Sequence, residues 1–131
     1  MLDERSSFVR KRPFDFLPNE LQLMSTTCPL IRIVRMEFLP QHVPQFLHMF
    51  DGVKARIRSF AGCRDLYLLR DQTHDNVYYT YSIWDDAQAL EHYRSSALFR
   101  DTWKQTRVLF AAPAQAHSLI EVERIAPIQT G

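Results

Sequence analysis

The side chains best equipped for chemistry are rings with a polar handle, gathered in the stretch Asn76 to Phe99, which reads NVYYTYSIWDDAQALEHYRSSALF. Trp84 offers a flat face on which a planar aromatic molecule can stack, a contact worth about 0.5–1.5 kcal/mol beyond area burial. Its other reading is a core tryptophan closing the end of a sheet. Tyr79, Tyr81 and Tyr93 add hydroxyls able to orient a phenol or its phenolate, although packing between subunits explains the first two equally well. No nucleophile elbow, phosphate-binding loop or dinucleotide fingerprint occurs. Cys28 and Cys63 lie outside any CxxC or Cys/His spacing and read as free thiols. His42, His48, His74, His92 and His117 make no metal-ligating pattern with nearby carboxylates, so no metal is expected. His117 is the histidine that a strand can turn toward a pocket; its alternative is a structural role.

Composition narrows the partners. At 131 residues the chain suits one domain with a single core, and 46% apolar against 24% charged residues are globular proportions. Sixteen basic and fifteen acidic residues leave a formal charge of +1, too little to gather a polyanion by counterion release, so nucleic acid is not an expected partner. The opening MLDERSSFVRKRPFDF has no apolar run of the kind that a signal peptide or membrane span requires. A cytoplasmic protein without membrane partners is the expectation.

The elements that must position these rings follow from hydrophobic period. Residues 1–29 read as an arm: Pro13, Pro18 and Pro29 interrupt it and no period is sustained, while Phe8, Phe14, Phe16 and Leu17 can pin it to a surface. Met24 offers an alternative start. The domain proper spans 30–123, and 124–131 form a C-terminal tail. Ile31 to Phe38 is rich in β-branched residues and predicts a strand. Phe46, Phe50, Val53 and Ile57 recur at helical spacing, and Lys54, Arg56 and Arg58 take the solvated side. Gly62 ends that helix region. Asp65 to Arg70 and Val77 to Trp84 then predict a hairpin across the polar turn 71–76. Asp85 or Asp86 caps a second helical stretch running to Phe110, with a joint near Ser95 and Ser96, and Ala116 to Val122 predicts a fourth strand.

The resulting order is β-α-β-β-α-β, an α+β, ferredoxin-like arrangement in which an antiparallel sheet carries its helices on one face. Both faces of Val77 to Trp84 bear large rings, and one of them cannot stay in water without exposing a broad apolar patch. A second copy covers it, which predicts a homodimer with sheets packed face to face.

The turn Ala61-Gly62-Cys63, the leucine-rich strand after it, the strand ending in Ser82-Ile83-Trp84 and the helix from Ala89-Leu90 through Ser95 to Phe99 resemble the antibiotic biosynthesis monooxygenase family of dimeric α+β barrels. The likeness covers about residues 30–123. It implies a pocket between sheet and helices and a small hydrophobic or aromatic ligand, with cofactor-independent oxygenation among the activities of the family. Many relatives carry histidines at the positions of Tyr93 and Leu98. Haem-degrading relatives use a first-strand asparagine and two helix residues whose places are held here by Tyr93 and by a position near Trp103, so haem is not expected.

Oxygenation without metal or flavin requires the substrate to give an electron to dioxygen, and therefore a stabilised phenolate in a dry cavity. Arg35, among apolar neighbours on the first strand, is the candidate cation, its alternative being an edge arginine paired with Glu37. The expected substrate-binding set is thus Arg35 with Tyr79, Tyr81 and Trp84 from the sheet, Tyr93 and Trp103 from the helices, and His117. No cofactor is expected. A non-catalytic dimeric barrel that binds a small ligand or accompanies another enzyme is the alternative function.

Overall fold

A computed structural model describes residues 28–129. Its elements are β1 (Leu30–Glu37), a short 3-10 turn (Pro40–His42), α1 (Val43–Arg58), β2 (Cys63–Arg70), β3 (Val77–Trp84), α2 (Ala87–Arg94), α3 (Ala97–Arg107) and β4 (Gln115–Leu119). The four strands form one antiparallel sheet in the order β2-β3-β1-β4. This is the ferredoxin-like topology expected from the sequence, with the second helical region divided in two. Among the described residues no helix is long and apolar enough to cross a membrane. The expected arm, with its Phe8, Phe14, Phe16 and Leu17, lies outside the described residues except for Cys28 and Pro29.

Strand alternation decides what the sheet offers to the helices. Arg32, Val34 and Met36 of β1 face α1 to α3, opposite Tyr78, Thr80, Ser82 and Trp84 of β3. Helix α1 drives Phe46, Phe50, Val53 and Ile57 onto this face, all buried. Phe38 has no exposed surface and stacks on Phe46 at a centroid distance of 4.3 Å, which seals the end of the core beyond β1. Asn76 holds that end by donating its side-chain amide to the Phe38 carbonyl, 2.9 Å away. The opposite face carries Ile31, Ile33, Arg35, Tyr79, Tyr81 and Ile83, with Tyr67, Leu69 and Leu119 about half exposed.

The joint in the second helical region has a local cause. The Ser96 hydroxyl accepts from Phe99 N–H and donates to the Tyr93 carbonyl, so one side chain ends α2 and begins α3. Of the two aspartates, Asp86 is the cap, accepting from Ala89 N–H. Gly62 adopts φ +88, and its carbonyl accepts from Asp85 N–H at the far end of β3. The fourth strand begins and ends earlier than expected from the sequence. Leu119 pairs with Ile31, one residue from the start of β1, so Ile120 to Val122 have almost no neighbouring strand left to join.

Candidate functional site

Between the helix-facing side of the sheet and α2 and α3 lies a cleft of about 1150 Å³. Ligand pockets of about 300–1,000 Å³ hold drug-sized molecules, so several fused rings fit here. Its floor is Arg32 and Val34 of β1 with Thr80 and Ser82 of β3. Its wall is a train of rings set by helical spacing. Tyr93 meets Phe99 edge to face at 5.2 Å across the Ser95–Ser96 joint, and Phe99 lies parallel to Trp103, one turn on, at 6.0 Å. Trp103 in turn meets Phe110 edge to face at 5.6 Å. Met36, Phe46 and Phe50 form the apolar end.

The polar groups are few. Arg32 is buried, and its Nη1 donates to the Ser118 hydroxyl across β1 and β4 at 2.9 Å. Arg94 lies 5.7 Å over the Phe99 ring and 3.6 Å from the Glu91 carboxylate. The Thr102 hydroxyl oxygen is buried beside the cleft without a hydrogen-bond partner among the described residues. Burial pushes the Tyr93 phenol well above its ordinary range, with the nearby Cys63 adding to the effect. Its hydroxyl therefore stays neutral and can serve only as a hydrogen-bonding group, not as a phenolate base. Among the described residues no three His, Cys, Asp or Glu side chains are grouped so as to hold a metal ion.

The sheet divides the residues singled out in the sequence. Tyr93 and Trp103 line the cleft, and His117 touches its rim. Pairing with Ile33 nevertheless puts His117 on the outer side of the sheet, and it is exposed. Trp84 stands behind the wall rather than in it: it is 1% exposed, stacks on Tyr93 at 5.0 Å and donates its indole N–H to the Ser82 hydroxyl. Arg35, Tyr79 and Tyr81 lie on the outer face. Arg35 pairs with Glu37 at 3.5 Å, and Tyr81 meets Tyr67 edge to face at 5.6 Å. The reason is parity: Arg35 is an odd number of residues from the buried Arg32 and Met36, so an extended strand turns it the other way. Arg32, Phe99 and Phe110 are among the cleft residues that the sequence reading did not select. Counting alternate positions back from Met36 would have found Arg32.

Residues 29–105 match the model of the antibiotic biosynthesis monooxygenase family. The chain belongs to that family. Solved structures agree in fold. A Caulobacter crescentus protein described under the same family name superposes with a TM-score of 0.70 at 18% identity, over 80% of this chain and 100% of its own. A Mycobacterium tuberculosis protein gives 0.68 at 18% identity, covering 75% of this chain and 99% of its own. A Pseudomonas aeruginosa protein gives 0.67 at 21% identity, covering 75% and 98% respectively. No curated protein matches the chain. For this member of the antibiotic biosynthesis monooxygenase family, the matched segment covers β1 to nearly the end of α3 and stops short of Phe110 and β4, which complete the cleft.

Proposed function

We propose that this family member is a cofactor-independent monooxygenase acting on a small, electron-rich phenol or quinol seated in the cleft. The observation that carries the reading is the ring train Tyr93, Phe99, Trp103 and Phe110 facing a sheet floor with a buried arginine. Rings stacked at such spacings hold a planar molecule, and a fixed cation beside it favours its ionised form. The phenolate then passes one electron to dioxygen. Recombination of the aryloxyl radical with superoxide makes a C–O bond, and protonation gives a hydroperoxide. Loss of water with the remaining ring hydrogen leaves a quinone, so one oxygen atom enters the product, the other leaves as water, and the substrate supplies every electron. Arg32 stabilises the phenolate, and the neutral Tyr93 hydroxyl is available as a hydrogen-bond donor.

The protein works as a homodimer in this reading, each copy covering the outer sheet face of the other. Support comes from the half-exposed Tyr67, Leu69 and Leu119 on that face, an apolar surface of the kind that a partner removes from water. A non-catalytic binding barrel is the second reading, favoured because the described cleft lining contains no carboxylate and only a rim histidine to act as a base. Oxygen uptake distinguishes them: with a hydroxynaphthalene, the metal-free and flavin-free protein consumes one dioxygen per quinone formed. Binding without any uptake above buffer overturns the oxygenase reading and leaves the second.

A further inference from the structure

We propose that a ligand enters this cleft over the edge strand β4, and that Ala114 and Ala116, on the inner side of that edge, set the largest molecule the cleft admits. The inference rests on the reading of the cleft as the seat of a phenol and assigns its entrance and its size-determining residues. Its first ground is where the lining meets water. The exposed lining residues are Arg107, Ala111, Pro113, Gln115 and His117, all within residues 107–117. The lining contributed by β1, β3, α1 and α2 is buried or half-buried throughout. The opening therefore lies between the end of α3 and β4, and among the described residues β4 is an edge strand with β1 alone beside it.

The second ground is the parity of the chain behind that opening. Pairing with Val34 turns Ala116 to the helix-facing side of the sheet, whereas Gln115, opposite Arg35, and His117, opposite Ile33, turn to the outer face. Burial keeps the same alternation toward α3: Ala112, Ala114 and Ala116 are half-buried, and Ala111 and Pro113 are exposed. This wall is fixed at both ends, by the Ala111 N–H donated to the Glu37 carbonyl at 2.7 Å and by the β4 ladder from Gln115 onward. Ala114 packs against the core. Methyl groups are thus what this edge sends toward the cleft that Phe99 and Trp103 also line. On the rest of the sheet α1 places the large side chains Phe46, Phe50 and Ile57. Carbon added at 114 or 116 takes its volume from the ligand and from the passage, because the packed surroundings do not absorb it without cost.

The test measures binding of a hydroxynaphthalene and of the larger hydroxypyrene to the full chain by fluorescence titration, with association rates from stopped-flow mixing. The unsubstituted protein binds both. Ala116→Leu weakens hydroxypyrene about tenfold or more and the hydroxynaphthalene less than about threefold, and it slows association of the larger ligand. Retained binding of the smaller ligand shows that the fold is kept. Ala114→Leu acts in the same way, and Ala116→Val, a smaller intrusion, gives a smaller loss in the same direction should a leucine variant fail to fold. No binding of hydroxypyrene to the unsubstituted protein, or losses that are absent or equal for the two ligands in variants folded by circular dichroism, overturns the size assignment. A selective loss carried wholly by faster dissociation overturns the entry route. Selection by size without any oxygen uptake leaves this inference standing and removes the oxygenase reading. Oxidation of both phenols by the leucine variants as well as by the unsubstituted protein does the reverse.

Discussion

Two tryptophans with similar chemistry occupy different physical positions. Trp84 is sealed behind Tyr93 and tied to Ser82, so Trp84→Ala should cost about 3–5 kcal/mol of unfolding free energy in urea titration, the range for deleting a buried large ring. Trp103 is half-buried between Phe99 and Phe110, with a face on the cleft. Trp103→Leu should reduce affinity for a hydroxynaphthalene about tenfold, the scale of one lost stacking contact, while changing stability much less. Equal losses of stability in the two variants would show that Trp103 is core. Protonation gives a second residue-level outcome. Tyr93 and Cys63 both titrate above their ordinary values because burial disfavours their charged forms. The unfolded chain therefore loses these protons first, and stability present below about pH 9 falls as pH rises through the alkaline range toward the folded values. Tyr93→Phe should flatten that decline above about pH 10 in pH-dependent urea melts, and an unchanged slope would deny the phenol this role. At this scale the sequence was legible for residue type more than for direction. Tyr93 and Trp103 could be picked as rings at helical spacing, but the choice of Arg35 over Arg32 needed the parity of β1, and Arg35 looked equally well surrounded by apolar neighbours.

The elements follow short-range physics and could be read more fully. The limits of β3, Val77 to Trp84, come directly from the alternation of its rings, and the buried stripe of α1 is the expected Phe46, Phe50, Val53 and Ile57. The joint between α2 and α3 was visible as paired serines, yet which one acts is a matter of geometry: Ser96 bridges both helices. Ser96→Ala should lower stability by about 1 kcal/mol, the usual worth of a cap, and should also weaken ligand binding because it loosens Tyr93 against Phe99. Urea titration with and without a bound hydroxynaphthalene measures both effects. Gly62 makes a stricter demand. A Cβ there would lie 2.5 Å from the Ala89 Cβ of α2, at a positive φ that already disfavours other residues. Gly62→Ala should therefore push α2 away from the sheet and lower the thermal midpoint by more than loss of the Asp86 cap does; a midpoint shift smaller than that of Asp86→Ala would contradict the packing described. The limits of β4 were misjudged because they depend on where β1 begins, a tertiary fact that the apolar run Leu119-Ile120 does not contain.

For the molecule as a whole, one sheet divides two tasks. The face toward the helices borders the cleft, and the outer face, with Tyr67, Leu69, Tyr79 and Tyr81, is the one that the proposed dimer covers. Sedimentation should find about twice the mass of the 15.5 kDa chain, and Tyr81→Glu, which sets a charge among those rings, should halve it while leaving the cleft able to bind. The topology was legible because six periodic segments in this order permit few compact arrangements, whereas the cleft was not, since it exists only where strands and helices distant in sequence meet. The central claim is that this cleft lets a bound phenol reduce dioxygen by itself. The most direct measurement is a single turnover: metal-free, flavin-free protein is loaded with a hydroxynaphthalene without air, then mixed with dissolved oxygen in a stopped-flow spectrometer. Quinone absorbance rising to one equivalent per occupied site, faster than in buffer and slowed by Arg32→Met, is the predicted result. A bound phenol that meets oxygen and remains a phenol would contradict the account.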